Sequence, residues 1–207
     1  TLLSRHTQMR SLYRKAMRPM TLLFTIHYTL FTNAAPLPVV PADIAHRMGT
    51  IHVLYNNRIC PLNTVATDFT MKLTGSASWK GYSADEVFFS WMIYYMPWEE
   101  ELLKNNPKQK GAEERKAIVE MFYNGQFTKI FPYRLDDAVS WYSPGGQVLP
   151  REIPVKEQFF IKQSMDFLTE AIVTGQRDRA FEIIAKIKLF QQDMIGDVLP
   201  SKSKTRS

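Results

Sequence analysis

Residues 161–196 read IKQSMDFLTEAIVTGQRDRAFEIIAKIKLFQQDMIG, and the spacing of their apolar residues decides the fold class. Ile161, Met165, Leu168 and Ile172 step by four, three and four residues. Ile183, Ile187, Phe190 and Met194 repeat that spacing beyond Gly175. Steps of three and four gather side chains on one face of a helix. A glycine between two such runs marks where one helix stops and the chain reverses. The expected unit is an antiparallel helical hairpin whose second helix is ended by Gly196 and Pro200.

Upstream, residues 126–150 read as irregular, with a turn at Ser143-Pro144-Gly145-Gly146 and with Asp136-Asp137 capping a short helix. Residues 112–123 form an amphipathic pattern closed by Asn124-Gly125, and Asn105–Gly111 is polar and loop-like. Ser83 and Glu86 have the spacing of a capping box ahead of the apolar run Val87–Met96. Pro97 is expected to stop that helix, leaving one more helical turn over 98–104. Pro61 opens a helix to about Leu73, with Leu62, Val65, Ala66, Phe69 and Leu73 on one face and Gly75 at its end. Residues 50–60 place two β-rich runs around Asn56-Asn57, and asparagine tolerates the left-handed turn conformation, so a hairpin is expected. Pro41 starts a short helix that Gly49 stops. The predicted fold is mainly α: an irregular helical domain with a small N-terminal β-hairpin and a C-terminal antiparallel helical hairpin, preceded by a short hydrophobic membrane segment.

The charge is unevenly spread. Of 26 basic residues, five lie in residues 1–20 and three in 201–207, and neither end carries an acid, so 18 basic residues face 20 acidic ones in the remaining chain. A nucleic-acid binder carries its basic stripe on the folded part. Here the cations are terminal, which argues for membrane topology or solubility and against a nucleic-acid partner. Residues 20–35, MTLLFTIHYTLFTNAA, hold no charge, follow the basic stretch and end in small residues. That layout fits a signal-like segment or a short transmembrane helix with its positive side in the cytosol. The predicted organisation is a basic cytosolic-side segment over 1–19, the hydrophobic segment over 20–35, an extracytoplasmic (periplasmic) helical domain over 36–200 and a basic tail over 201–207. Thr1 at the first position is read as a processed chain or a piece of a longer one.

Residues 53–69, VLYNNRICPLNTVATDF, resemble a segment of the cytochrome c biogenesis proteins of Bacteroidetes in which a ResB-like half is fused to a CcsA-like half. Residues 72–81, KLTGSASWKG, are similar to that family too, as are 184–192, IAKIKLFQQ, followed by Leu199-Pro200-Ser201. The resemblance implies a role in haem export and cytochrome complex assembly. The parent would be a system II cytochrome c synthase, with apocytochrome c, haem and the membrane as partners. It places this chain between the two halves, as a scaffold or docking domain, with the haem chemistry in membrane regions outside it. The family's haem-handling motifs are a tryptophan-rich loop and histidines of membrane helices. Trp79, Trp91, Trp98 and Trp141 are scattered, so no haem ligand carries over and no cofactor is expected in this chain. The alternative reading is a free-standing exported interaction domain without enzymatic activity.

Candidate chemistry is sparse. Cys60 is the single cysteine, which excludes an internal disulfide and a multi-thiolate metal site. It precedes a helix start, where a thiolate is favoured, but a small buried hydrophobe is the plainer role. Arg58, Cys60, Asn63 and Asp68 are the candidate partner-binding residues. Asn63, Thr64 and Asp68 equally suit capping or cross-linking of the helix start. His27 lies in the apolar segment, where a histidine is a functional candidate. His6, His46 and His52 read as solvated or hydrogen-bonded residues. Glu99-Glu100-Glu101 reads as a solvated face. The chain has no glycine-rich phosphate loop, HExxH, GxSxG or CxxCH motif.

Overall fold

The computed structural model describes residues 36–104, 129–144 and 148–199. The basic segment 1–19, the hydrophobic segment 20–35, the loop and helix expected over 105–123 and the tail 201–207 lie outside the described residues. The described residues from Pro38 onward belong to one compact unit.

That unit is mainly helical, with small antiparallel strand pairs. In chain order its elements are α1 (Ala42–Gly49), β1 (His52–Tyr55), β2 (Arg58–Pro61), α2 (Leu62–Thr74), β3 (Ser78–Trp79), β4 (Tyr82–Ser83), α3 (Ala84–Ile93) and α4 (Tyr95–Lys104). Then follow β5 (Phe131–Leu135), β6 (Ala138–Tyr142), α5 (Val155–Val173) and α6 (Arg177–Ile195). Among the described residues no helix is long and apolar enough to cross a membrane.

The first hairpin forms as its sequence requires. Asn56 and Asn57 take φ of 49° and 59°, the left-handed pair that a two-residue turn with the strands' own twist demands. The register pairs Tyr55 with Arg58 and Val53 with Cys60. Pro61 ends β2 and stands at the N-cap position of α2, whose buried face is Leu62, Val65, Ala66, Phe69, Thr70 and Leu73. Gly75 closes α2 at φ 79°, with its N–H donating to the Met71 carbonyl at 2.8 Å. Ser83 and Glu86 form the expected capping box at the start of α3.

Several expectations are corrected. The apolar run after Ser83 breaks at Tyr94 (φ −111°, ψ 48°), three residues ahead of Pro97. Pro97 sits inside the first turn of α4, where no intrahelical N–H is needed, so α4 is a full 10-residue helix. Residues 131–142 form a second hairpin rather than irregular chain. Asp136 takes φ 52° in its turn, so Asp136-Asp137 turns two strands and caps no helix. A miniature hairpin, β3–β4, turns at Lys80 (φ 49°) and Gly81 (φ 85°).

Gly49 is the last residue of α1 and is chosen for space. A Cβ there would lie 2.7 Å from Asp85 Oδ2. Gly196 likewise keeps right-handed dihedrals (φ −57°), where a Cβ would lie 2.5 Å from the Gln192 carbonyl oxygen. Finally, α6 is turned relative to the expected stripe. Its buried residues are Ala180, Ile184, Ile187, Gln191 and Ile195, while Ile183, Phe190 and Met194 are half-buried.

The helical hairpin is present. α5 buries Ile161, Ser164, Met165, Leu168, Ala171 and Ile172, and the chain reverses through Gly175 at φ 71°. Phe160 near the start of α5 meets Phe190 near the end of α6 at 5.3 Å between ring centroids, which fixes the antiparallel sense. Aromatic contacts join the elements of the core. Phe69 packs against Phe88 at 5.2 Å and Trp91 at 4.8 Å, joining α2 to α3. Phe131 meets Phe160 and Phe190 at 6.0 Å each, joining β5 to the helical hairpin.

Candidate functional site

Two polar groups flank the N-terminal half of α2. On one side, the candidate residues Arg58, Cys60 and Asp68 come together with Tyr55 and Thr64. Arg58 and Asp68 are exposed, and Cys60 is half-buried. Burial is the largest influence on the Cys60 thiol and pushes its pKa up. Arg58 and a hydrogen bond with Thr64 pull it down, and Asp68 adds to the rise. The thiol is therefore less ionised than a free one, the opposite of an activated nucleophile. Burial, then Asp68, raises the Tyr55 hydroxyl in the same way.

The fourth candidate, Asn63, points elsewhere. Its Nδ2 donates to Asp85 Oδ1 at 2.9 Å. Asp85 stands in the first turn of α3, beside the end of α1, and was not singled out by motif. Its side chain is only 8% exposed, while that of His46, whose Nδ1 lies 4.0 Å from Asp85 Oδ2, is 81% exposed. Burial raises the Asp85 pKa most. The Asn63 hydrogen bond and His46 oppose the rise, and Glu86 adds to it. No motif points to this cluster, because its three members lie on α1, α2 and α3.

A third polar centre is structural. Gln191, 1% exposed, accepts a hydrogen bond from the His52 N–H at 3.0 Å through Oε1. Its Nε2 donates to the carbonyls of His52 at 2.8 Å and Ile130 at 2.7 Å. One amide thus closes backbone groups of β1 and of the approach to β5. Burial, and then Lys188, lowers the His52 pKa, while a hydrogen bond with Gln191 opposes them. His6 and His27 lie outside the described residues. Glu99 is half-buried and Glu100 exposed; Glu101 pairs with Lys80.

Among the described residues no three of His, Cys, Asp or Glu are placed to hold a metal ion. An open depression between α5 and α6 is lined by Lys156, Glu157, Phe160, Lys186, Leu189, Phe190 and Asp193. On the outer side of α5, Val155, Phe159 and Val173 are exposed, Phe159 by 58%.

No known protein family, curated protein or solved structure is matched by the chain. The family resemblance therefore rests on the residue blocks themselves.

Proposed function

We propose that the chain is the extracytoplasmic part of a membrane protein for haem export and cytochrome c assembly, and that it serves as a scaffold or docking domain. The observation that carries this reading is the partition of charge: an acid-free basic stretch over 1–19, an uncharged apolar stretch over 20–35, and a body with slightly more acids than bases. The quoted blocks of resemblance support the cytochrome assignment. In the fold, the block at 184–192 is tied through Gln191 to His52, next to the block at 53–69 and 139 residues away in sequence. Scaffolding draws support from α5, where Phe159 and Phe167 are exposed and in ring contact, since a contiguous apolar patch on a surface marks a site where proteins meet. In this reading residues 20–35 cross or anchor in the membrane, residues 36–200 stand in the periplasm, and haem is handled by other regions of the parent.

The test is sidedness. Cys60→Ser removes the one thiol of this chain, and Ser76→Cys places a new one on an exposed loop. A membrane-impermeant maleimide should label that thiol in intact cells. Labelling only after lysis would overturn the assignment. The mass of the mature chain separates a retained segment from a cleaved one, and cleavage would favour the free-standing exported domain.

A further inference from the structure

Residues 38–41 lie outside any helix or strand, yet two of their backbone groups are held by distant side chains. The indole Nε1–H of Trp98 donates to the Pro38 carbonyl at 2.6 Å. The Val40 N–H donates to Ser90 Oγ at 2.8 Å. Val40, Ser90 and Trp98 are all fully buried. Ser90 belongs to α3 and Trp98 to α4, so the two anchors straddle the break at Tyr94. The Trp98 ring is in turn packed by Trp79 at 5.7 Å and Tyr82 at 5.9 Å, both from the β3–β4 hairpin.

The held segment has the chemistry of a ligand. Pro36, Pro38 and Pro41 occupy alternate parts of PLPVVP, and Pro41 keeps φ −53° and ψ 135°, close to polyproline II. Such a segment makes no hydrogen bonds of its own, leaves its carbonyls available and loses little entropy on docking. An indole donor beside further aromatic rings is how grooves read extended proline-bearing chains. We propose that Ser90 and Trp98, with Trp79 and Tyr82 around the indole, form a recognition site for an extended proline-bearing segment, which the protein occupies in cis with residues 38–41. The segment is then a strap, separately releasable, that clamps the joint between α3 and α4. This inference is independent of the extracytoplasmic reading.

Native-state hydrogen exchange on the full chain tests it. The Val40 amide and the Trp98 indole proton should exchange through a local opening, at least about tenfold faster than the slowest amides of α2, with little dependence on denaturant. Exchange at the α2 rate would make the segment ordinary core and overturn the proposal. Pro38→Ala leaves the Pro38 carbonyl's hydrogen bond in place but frees the chain before docking. It should speed Val40 exchange about two- to fivefold without changing the α2 amides. An unchanged Val40 rate would show that proline is not what the site reads. Ser90→Ala should speed Val40 more than the indole proton; should that variant fail to fold, the wild-type and Pro38→Ala measurements decide.

Discussion

Asp85 and Gln191 are polar side chains held in buried surroundings. Because burial raises the Asp85 pKa, the folded protein binds this proton more tightly than the unfolded chain does. Stability from this group is then greatest when the carboxyl is protonated in both states. It falls as pH rises from the ordinary carboxylate value, about 4, through the raised folded one. Asp85→Asn keeps an acceptor for Asn63 and removes the charge. Urea unfolding across pH 4 to 7 should show wild type losing stability relative to Asp85→Asn as pH rises, and parallel curves would refute the burial argument. Gln191→Ala leaves the His52 N–H and two carbonyls without partners, and should cost about 2–4 kcal/mol at any pH in that range, read from the same transitions. Gly49 tests the packing around Asp85. Gly49→Ala puts a methyl against its carboxylate and should cost about 1–3 kcal/mol; in an Asp85→Ala background much of that cost should vanish in a double-mutant cycle.

The elements are set mainly by their turns. Three hairpins use Asn56-Asn57, Lys80-Gly81 and Asp136-Asp137, and each places a residue at positive φ. Asparagine tolerates that conformation and glycine adopts it freely. Asn57→Gly should therefore leave the register intact and raise the unfolding free energy by about 0.5 kcal/mol, measured by chemical denaturation; a loss of stability would mean that the Asn57 side chain is itself needed. The first turn was legible because β-branched and aromatic residues flank it. The second hairpin was missed because Pro132 interrupts its first strand, and proline usually argues against a paired strand. Pro132 nonetheless pairs opposite Trp141, in a two-stranded ladder that leaves each strand an open edge.

Over the whole unit, the packed core and the exposed apolar residues of α5 lie on different surfaces. The buried sides of α5 and α6, with the aromatic contacts to Phe131, supply packing, while Phe159 reaches outward. Phe159→Ser should change unfolding free energy by no more than about 0.5 kcal/mol, as exposed substitutions do. If α5 is a docking face, the same change should abolish co-purification of partner subunits from membranes. Retained co-purification would move the docking surface elsewhere.

Periodicity and local chemistry determined α1, α2 and the pair α5 and α6, the first hairpin, the capping box and the helical reversal at Gly175, because each depends on residues within a few positions of one another. Three of the four candidate site residues, Arg58, Cys60 and Asp68, do gather, since hairpin and helix adjoin in the chain. Only the tertiary structure decided which stripe of α6 faces inward, since Gln191 is called there by unpaired backbone groups of β1 and Ile130. The same holds for the Asn63–Asp85–His46 cluster and for the strap on Ser90 and Trp98. Their partners are brought together by packing between elements, and pairings across 22 to 60 residues leave no periodic trace in the sequence.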